Sequence, residues 1–460
     1  MLCPSLLSPR RWARETFGAV QLRDVRRTQR AVGLAAALLR RPQASLPEQL
    51  CAPAALKAAY RLLGEADVTY QHLLTPHWEQ TRQAAGAQPV VLMVQDTSTI
   101  DYTHHPKTTG LGPIGDGRGK GYLLQSVLAV LPAPRQVLGL AHLEPFLRES
   151  APPQTSAQRK QRDRESLVWV RAVQAVGSPP AGVQWVHVGD RGSDFFEFFA
   201  ACRTQHTDFL VRAAQDRCVQ DEQGERDHLV QLARRLPAQA ARTLKVRAKA
   251  GQPQREAQLR IAYAPTTLLP PRHADVRGER PEPLSGWVVR VWEVDAPAAV
   301  TEPVEWVLVT SVPTQTTAAA WERVEWYRCR WLCEDYHQCL KTGCSLEKRH
   351  LHTGAALMRL LGLVAPVAIC LLQMREWARH NPSQLARAAL PRELVEVVAA
   401  LAGLSPEQLT VEQFFRAVAQ QGGYLGRKNG RPPGWQTLWR GWLYVQAVLE
   451  GVHLASKLPL

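Results

Sequence analysis

Tyr327, Arg330, Glu334 and Lys341 lie in a segment, TTAAAWERVEWYRCRWLCEDYHQCLK (316–341), that contains neither Gly nor Pro and has the length of a helix. Relative to Tyr327, the other three are offset by 3, 7 and 14 residues. At about 100° per residue these offsets fall near −60°, −20° and −40°, so one narrow stripe carries all four groups. A solvated face laced with i,i+3 and i,i+4 pairs is one outcome of such a stripe. A site that meets charged partners is the other, because a hydroxyl, two cations and a carboxylate are costly to bury alone. Two further acids bear on that choice. VVLMVQDTSTIDYT (90–103) reads as a buried strand ending on Asp96. VQWVHVGDRGSDFFEFF (183–199) repeats the design, with an apolar strand, then Asp190 and an aromatic helical run. An acid at the carboxyl end of an apolar strand sits at the sheet edge where α/β sites are built. Asp also starts turns and caps helices, so neither acid says much by itself. Together with Glu334 they form a three-carboxylate constellation, suited to hard cations such as Mg²⁺ that take oxygen ligands. Two such ions can activate an attacking oxygen and stabilise a leaving one in an in-line displacement.

The spacing of Tyr327, Arg330, Glu334 and Lys341 resembles the YREK signature of DDE transposases of the insertion-sequence-four family. RDVRRTQR (23–30), AAYRLL (58–63), QDTSTIDY (95–102), RESLVW (164–169), GDRGSD (189–194), EWVLVTS (305–311) and WQTLWRGW (435–442) look like that family's blocks, in order. The resemblance implies a cut-and-paste transposase in which Asp96, Asp190 and Glu334 are catalytic and hold two Mg²⁺ ions, with Mn²⁺ as a substitute. Water would free a 3′-OH at the transposon end. That hydroxyl would attack the opposite strand, and the resulting hairpin would be reopened before strand transfer. Tyr327, Arg330 and Lys341 would bind phosphates of the hairpinned end. Trp306 would stack on a flipped base, an interaction worth about 1–3 kcal/mol. Arg191 and Arg212, near the second acid, would add DNA contacts. The implied partners are double-stranded DNA, at transposon ends and target, and a second copy of the chain in a synaptic complex. A DNA-binding regulator without catalysis and a metal-dependent nuclease that cannot join DNA are the alternatives.

These residues need a scaffold, and the rest of the chain predicts an α/β fold. It has a ribonuclease-H-like catalytic core with a β-rich insertion, between helical N- and C-terminal domains. Residues 1–72 read as helical. Arg26, Arg27 and Arg30, with Arg23, recur on one helix face and offer bidentate phosphate contacts. By resemblance this domain binds the transposon end, with Arg61 in the same block. Residues 73–375 read as the catalytic domain, alternating helix and strand over 73–212, with a helix over 156–176, and carrying the β-rich insertion at about 213–303. Residues 376–460 are helical, and Trp435, Trp439 and Trp442 form an aromatic stripe read as a dimer interface. A net charge of +15 over 460 residues suits a polyanionic partner better than an acidic small molecule. The nine Cys show no CxxC spacing; the four around His337 read as buried thiols, not a zinc site. LLGLVAPVAICLL (360–372) is too short to span a bilayer and reads as a core helix. The expected place of action is the bacterial cytoplasm, at the nucleoid, with no membrane partner.

Overall fold

Serine and aspartate side chains cap the first two helices of the chain, α1 (Pro9–Phe17) and α2 (Val25–Arg40), which α3 (Leu46–Leu50) and α4 (Pro53–Gly64) follow. Ser8 accepts from the Arg11 amide at the start of α1, and Asp24 accepts from the Arg26 amide at 2.8 Å at the start of α2. Such bonds satisfy donors that a helix start leaves open. The computed structural model describes residues 8–148, 165–246, 255–271, 281–297, 300, 303–380, 382–426 and 433–456. The first half of the helix expected over 156–176 lies outside them; its second half is α6 below.

After α5 (Tyr70–Gly86) the chain enters a sheet. β1 (Val90–Asp101) pairs antiparallel with β3 (Gly119–Leu131), which also pairs with β2 (Gly112–Ile114) and β4 (Gln136–Phe146). β5 (Gln184–Gly189) and β6 (Asp208–Arg212) then join in parallel, β5 directly beside β1. Helices α6 (Leu167–Val176) and α7 (Phe196–Thr204) flank β5 in the chain and make the crossovers that parallel pairing requires. The apolar run VVLMV in β1 is what a strand covered on both faces needs. The β-rich insertion does not form a separate body. β7 (Cys218–Gln220), β8 (Arg226–His228), α8 (Leu229–Arg235), β9 (Ala240–Val246), β10 (Arg255–Leu268) and β11 (Leu284–Val294) lead to β12 (Glu305–Thr310). β12 pairs with β11 on one side and β6 on the other, so the twelve strands make one sheet.

Three local expectations change. First, β1 does not end on Asp96. It continues to Asp101 against β3, whereas its parallel pairing with β5 stops at Val94 and Val188. Second, residues 316–341 are not one helix. α9 (Thr317–Arg328) and α10 (Trp331–Gln338) are separated by a tight break at Cys329 and Arg330, and a π-helical turn, Cys339–Gly343, follows. Third, the apolar run near 360 belongs to a longer helix, α11 (Gly354–His380). Its 24-residue stretch Gly354–Trp377 is long and apolar enough to cross a membrane, but 83% of its apolar window is buried inside the chain. It packs on α2, α5 and β4.

The chain closes with α12 (Ala386–Ala389), α13 (Arg392–Ala402), α14 (Val411–Gln421) and α15 (Trp435–Ala455). Trp439 and Trp442 are not a free interface. They are 3% and 1% exposed, and Trp439 Nε1 donates to the Leu39 carbonyl of α2 at 2.9 Å. α15 instead exposes Tyr444, Val452 and Leu454.

Candidate active site

Register brings two of the acids together. Val94 and Val188 are the last paired residues of neighbouring parallel strands, and Asp96 and Asp190 each lie two residues further on. A shift of two residues keeps a side chain on the same face, so the two carboxylates stand side by side where β5 ends. Gly189 makes the turn possible, because a Cβ there would run into the Oγ of Ser193 and lie 2.8 Å from its Cβ. Ser193 in turn donates to the Asp190 carbonyl at 2.8 Å, and Asp190 Oδ1 accepts from the Gly192 amide at 2.7 Å.

Glu334 reaches the same place from α10, and Arg330 joins it to the sheet. Arg330 Nη2 donates to Glu334 at 2.6 Å and Nη1 to Asp96 Oδ2 at 3.5 Å. The Arg330 side chain is 11% exposed while that of Glu334 is 42% exposed, so the cation is the deeper of the two. Burial pushes the Asp96 carboxyl up to about 7, and the nearby Asp190 charge adds to the rise, while Arg330 pulls the other way. Carboxylates gathered in a half-dry pocket with too little positive charge behave in this way. The donors are all oxygens, as a hard divalent cation requires. Among the described residues, however, no three His, Cys, Asp or Glu side chains stand close enough to form a ready-made cage. The carboxylates share one field but not one closed shell, with the Arg330 guanidinium between two of them.

Tyr327 is buried beside Arg330 and Arg212; burial raises its hydroxyl pKa and the two cations oppose the rise. Trp306 on β12 packs edge-on against Tyr327, with ring centroids 5.2 Å apart. Arg212, at the end of β6, donates to the Glu305 carbonyl at 3.1 Å, and Arg191 is exposed beside Asp190. Lys341 stands apart from this group. The π turn carries it to Glu347, 3.9 Å away, whose carboxylate also accepts from the Asp101 amide. In the N-terminal helices, Arg26, Arg30 and Arg61 are exposed. Arg27 is held by Glu65 at 2.6 Å, and Arg23 falls outside α2, paired with Asp67.

Residues the sequence reading passed over also surround the site. Asp194, almost fully buried, accepts from the amides of Ala214 and Gln215 and pairs with Arg217, tying the loop after Asp190 to the chain beyond β6. Asp335, next to Glu334, pairs with Arg375 of α11. The closeness of Asp194 to Asp190 in GDRGSD and of Asp335 to Glu334 was the available signal.

Known families match in two places. Residues 9–68 match the transposase DNA-binding family and residues 186–371 match the transposase DDE domain family. The second match contains Asp190 and Glu334; Asp96 precedes it and is brought in by the pairing of β1 with β5. With a transposase DNA-binding domain followed by a DDE domain built on this sheet, the chain is a DNA transposase of the DDE kind.

Proposed function

We propose that this transposase works by cut and paste, as a member of the insertion-sequence-four group, with Asp96, Asp190 and Glu334 as its catalytic acids. The observation that carries the reading is the in-register pair Asp96 and Asp190, facing Glu334 across Arg330. The three acids would hold two divalent ions, Mg²⁺ or Mn²⁺, which when bound activate the attacking oxygen and stabilise the leaving one. The chain's own side chains do the rest. Arg330 balances the acids' charge and, with Tyr327, Arg212 and Arg191, offers donors to the phosphates of a DNA end. Phosphate contacts of this kind fix register on the duplex. Lys341 contributes from the rim. Trp306, with one edge against Tyr327, is a platform for a base displaced from a hairpinned end. Arg26, Arg30 and Arg61 present the basic surface that grips the end sequence, while Arg27 braces that surface through Glu65. The exposed apolar side chains of α15 suit pairing with a second copy in a synaptic complex. The protein would act at the bacterial nucleoid.

The test uses DNA bearing the element's own terminal repeats, incubated with Mg²⁺ and wild-type or Glu334→Ala protein. Removing one of the acids should cost about 4 kcal/mol of transition-state stabilisation, a loss of ~10³-fold in cleavage, with end binding retained. Hairpin-ended or joined products from wild type alone support the proposal. Cleavage by both proteins would show that the acids are misassigned. Binding without cleavage by either would favour a regulator.

A further inference from the structure

Each of the three acids rides on a different element: Asp96 on β1, Asp190 at the end of β5 and Glu334 on α10. Their separation is therefore fixed by whatever locks these elements to one another. Five polar side chains lie buried around the acids. Gln95, Gln125, Ser126 and His187 are fully buried, and His337 nearly so. Gln95 Nε2 and His187 Nδ1 share a hydrogen bond of 2.7 Å, Gln125 Nε2 donates to Gln95 Oε1 at 3.0 Å, and Thr97 Oγ1 donates to Gln125 Oε1. On the opposite face of β3, Ser126 Oγ and His337 Nε2 share a hydrogen bond of 3.0 Å.

The positions of these groups coincide with the acids. Gln95 immediately precedes Asp96, His187 lies one short step before Asp190, and His337 sits one turn beyond Glu334. Ser126 is the residue paired with Asp96 across the β1–β3 ladder. The bonds thus tie β5 to β1, β1 to β3 and β3 to α10. Apolar side chains would fill the same space without the penalty of burying amides and imidazoles. Directional bonds add what apolar contacts lack, a fixed register and a fixed separation. Burial pushes both imidazoles down to about 3, so they remain neutral hydrogen-bonding groups near neutral pH.

We propose that Gln95, Gln125, Ser126, His187 and His337 are positioning residues that set the spacing of Asp96, Asp190 and Glu334, and that the Ser126–His337 bond fixes how far Glu334 reaches toward Asp96. This rests on the reading of the three acids as ion ligands. Misplacing a reacting group by about 1 Å can cost 10²-fold in rate, and loss of groups that orient metal ligands typically weakens ion binding by about 10–100-fold.

The test compares Ser126→Ala, His337→Asn and His337→Gln with wild type in the full-length protein. A Gln amide reaches the place of Nε2, whereas an Asn amide stops near Nδ1. Four quantities are measured: thermal melting, Mn²⁺ binding by calorimetry, binding of terminal-repeat DNA, and the dependence of nicking on Mn²⁺ concentration. Ser126→Ala and His337→Asn should bind Mn²⁺ roughly tenfold or more weakly and need correspondingly more of it to nick, while DNA binding stays at the wild-type level. His337→Gln should recover most of the loss. Folded Ser126→Ala that binds Mn²⁺ and nicks as wild type would overturn the proposal, as would equal losses in the Asn and Gln variants. A wild-type protein that binds no Mn²⁺ and nicks no DNA would instead overturn the assignment of the acids, and this proposal with it.

Discussion

Replacing Asp96 with Asn should make the ion-free protein more stable while abolishing its chemistry. Burial, and then the charge of Asp190, lift the Asp96 carboxyl from its usual 3.8 to about 7. The folded chain therefore holds this proton over a pH range in which the unfolded chain has released it. More protons bound to the folded state means that stability falls as pH rises through that window, from about 4 to about 7. Above the window the whole penalty is present. At 1.36 kcal/mol per pH decade, a rise of about three decades amounts to ~4 kcal/mol. Asn keeps the shape and carries no charge. At pH 8, Asp96→Asn should be more stable than wild type by up to ~4 kcal/mol, and at pH 4 the two should converge. Asp190, Glu334, Arg330 and Cys333 face the same group, and comparing the two proteins at each pH largely cancels their own titration. Denaturant melts from pH 4 to 8 without divalent ions, repeated with Mg²⁺, provide the assay. Mg²⁺ should stabilise wild type and leave Asp96→Asn almost unmoved. A variant no more stable than wild type at pH 8, or an advantage independent of pH, would refute the claim that Asp96 is held in a field short of positive charge.

Gly189→Ala should destabilise the protein by about 1–3 kcal/mol through overpacking against Ser193. It should also slow nicking by displacing Asp190, read by melting and by the same gel assay. Arg30→Ala should lower the slope of log affinity for end DNA against log salt by about 0.9, the loss of one phosphate contact. Arg27→Ala removes the pair with Glu65 and should lower stability with a smaller change in slope; identical salt slopes for wild type and Arg30→Ala would remove Arg30 from the interface.

Much of the site was readable from strand contexts. An acid following an apolar run marked the end of β5 at Asp190, whereas Asp96 follows such a run and yet lies inside β1, which continues to Asp101 against β3. Their common register was not readable, because which strands pair in parallel is decided by the crossovers and not by either strand. The break between α9 and α10 left no local trace. WYRCRWLCE contains only residues that tolerate a helix, so the turn at Cys329 and Arg330 and the π turn at Lys341 are set by packing of α10 on β1 and β3. A straight helix would have kept Lys341 in line with Glu334; the observed one takes it to Glu347. Of the aromatic stripe near the end of the chain, Trp439 and Trp442 are turned inward, where α14 and α2 offered a surface to cover.

The union of the insertion with the core sheet has a bearing on solubility. Along the sequence, residues between β6 and β12 look like a module that could be removed. In space β12 lies between β6 and β11, so excision would strip one whole side of β12 and leave its amides and carbonyls facing water. An unpaired, largely apolar strand of that kind is a template for joining other chains edge to edge. The insertion thus acts as a guard for the core as well as an extension of it, and shortened versions of the chain that lack it would be expected to clump before they could be assayed.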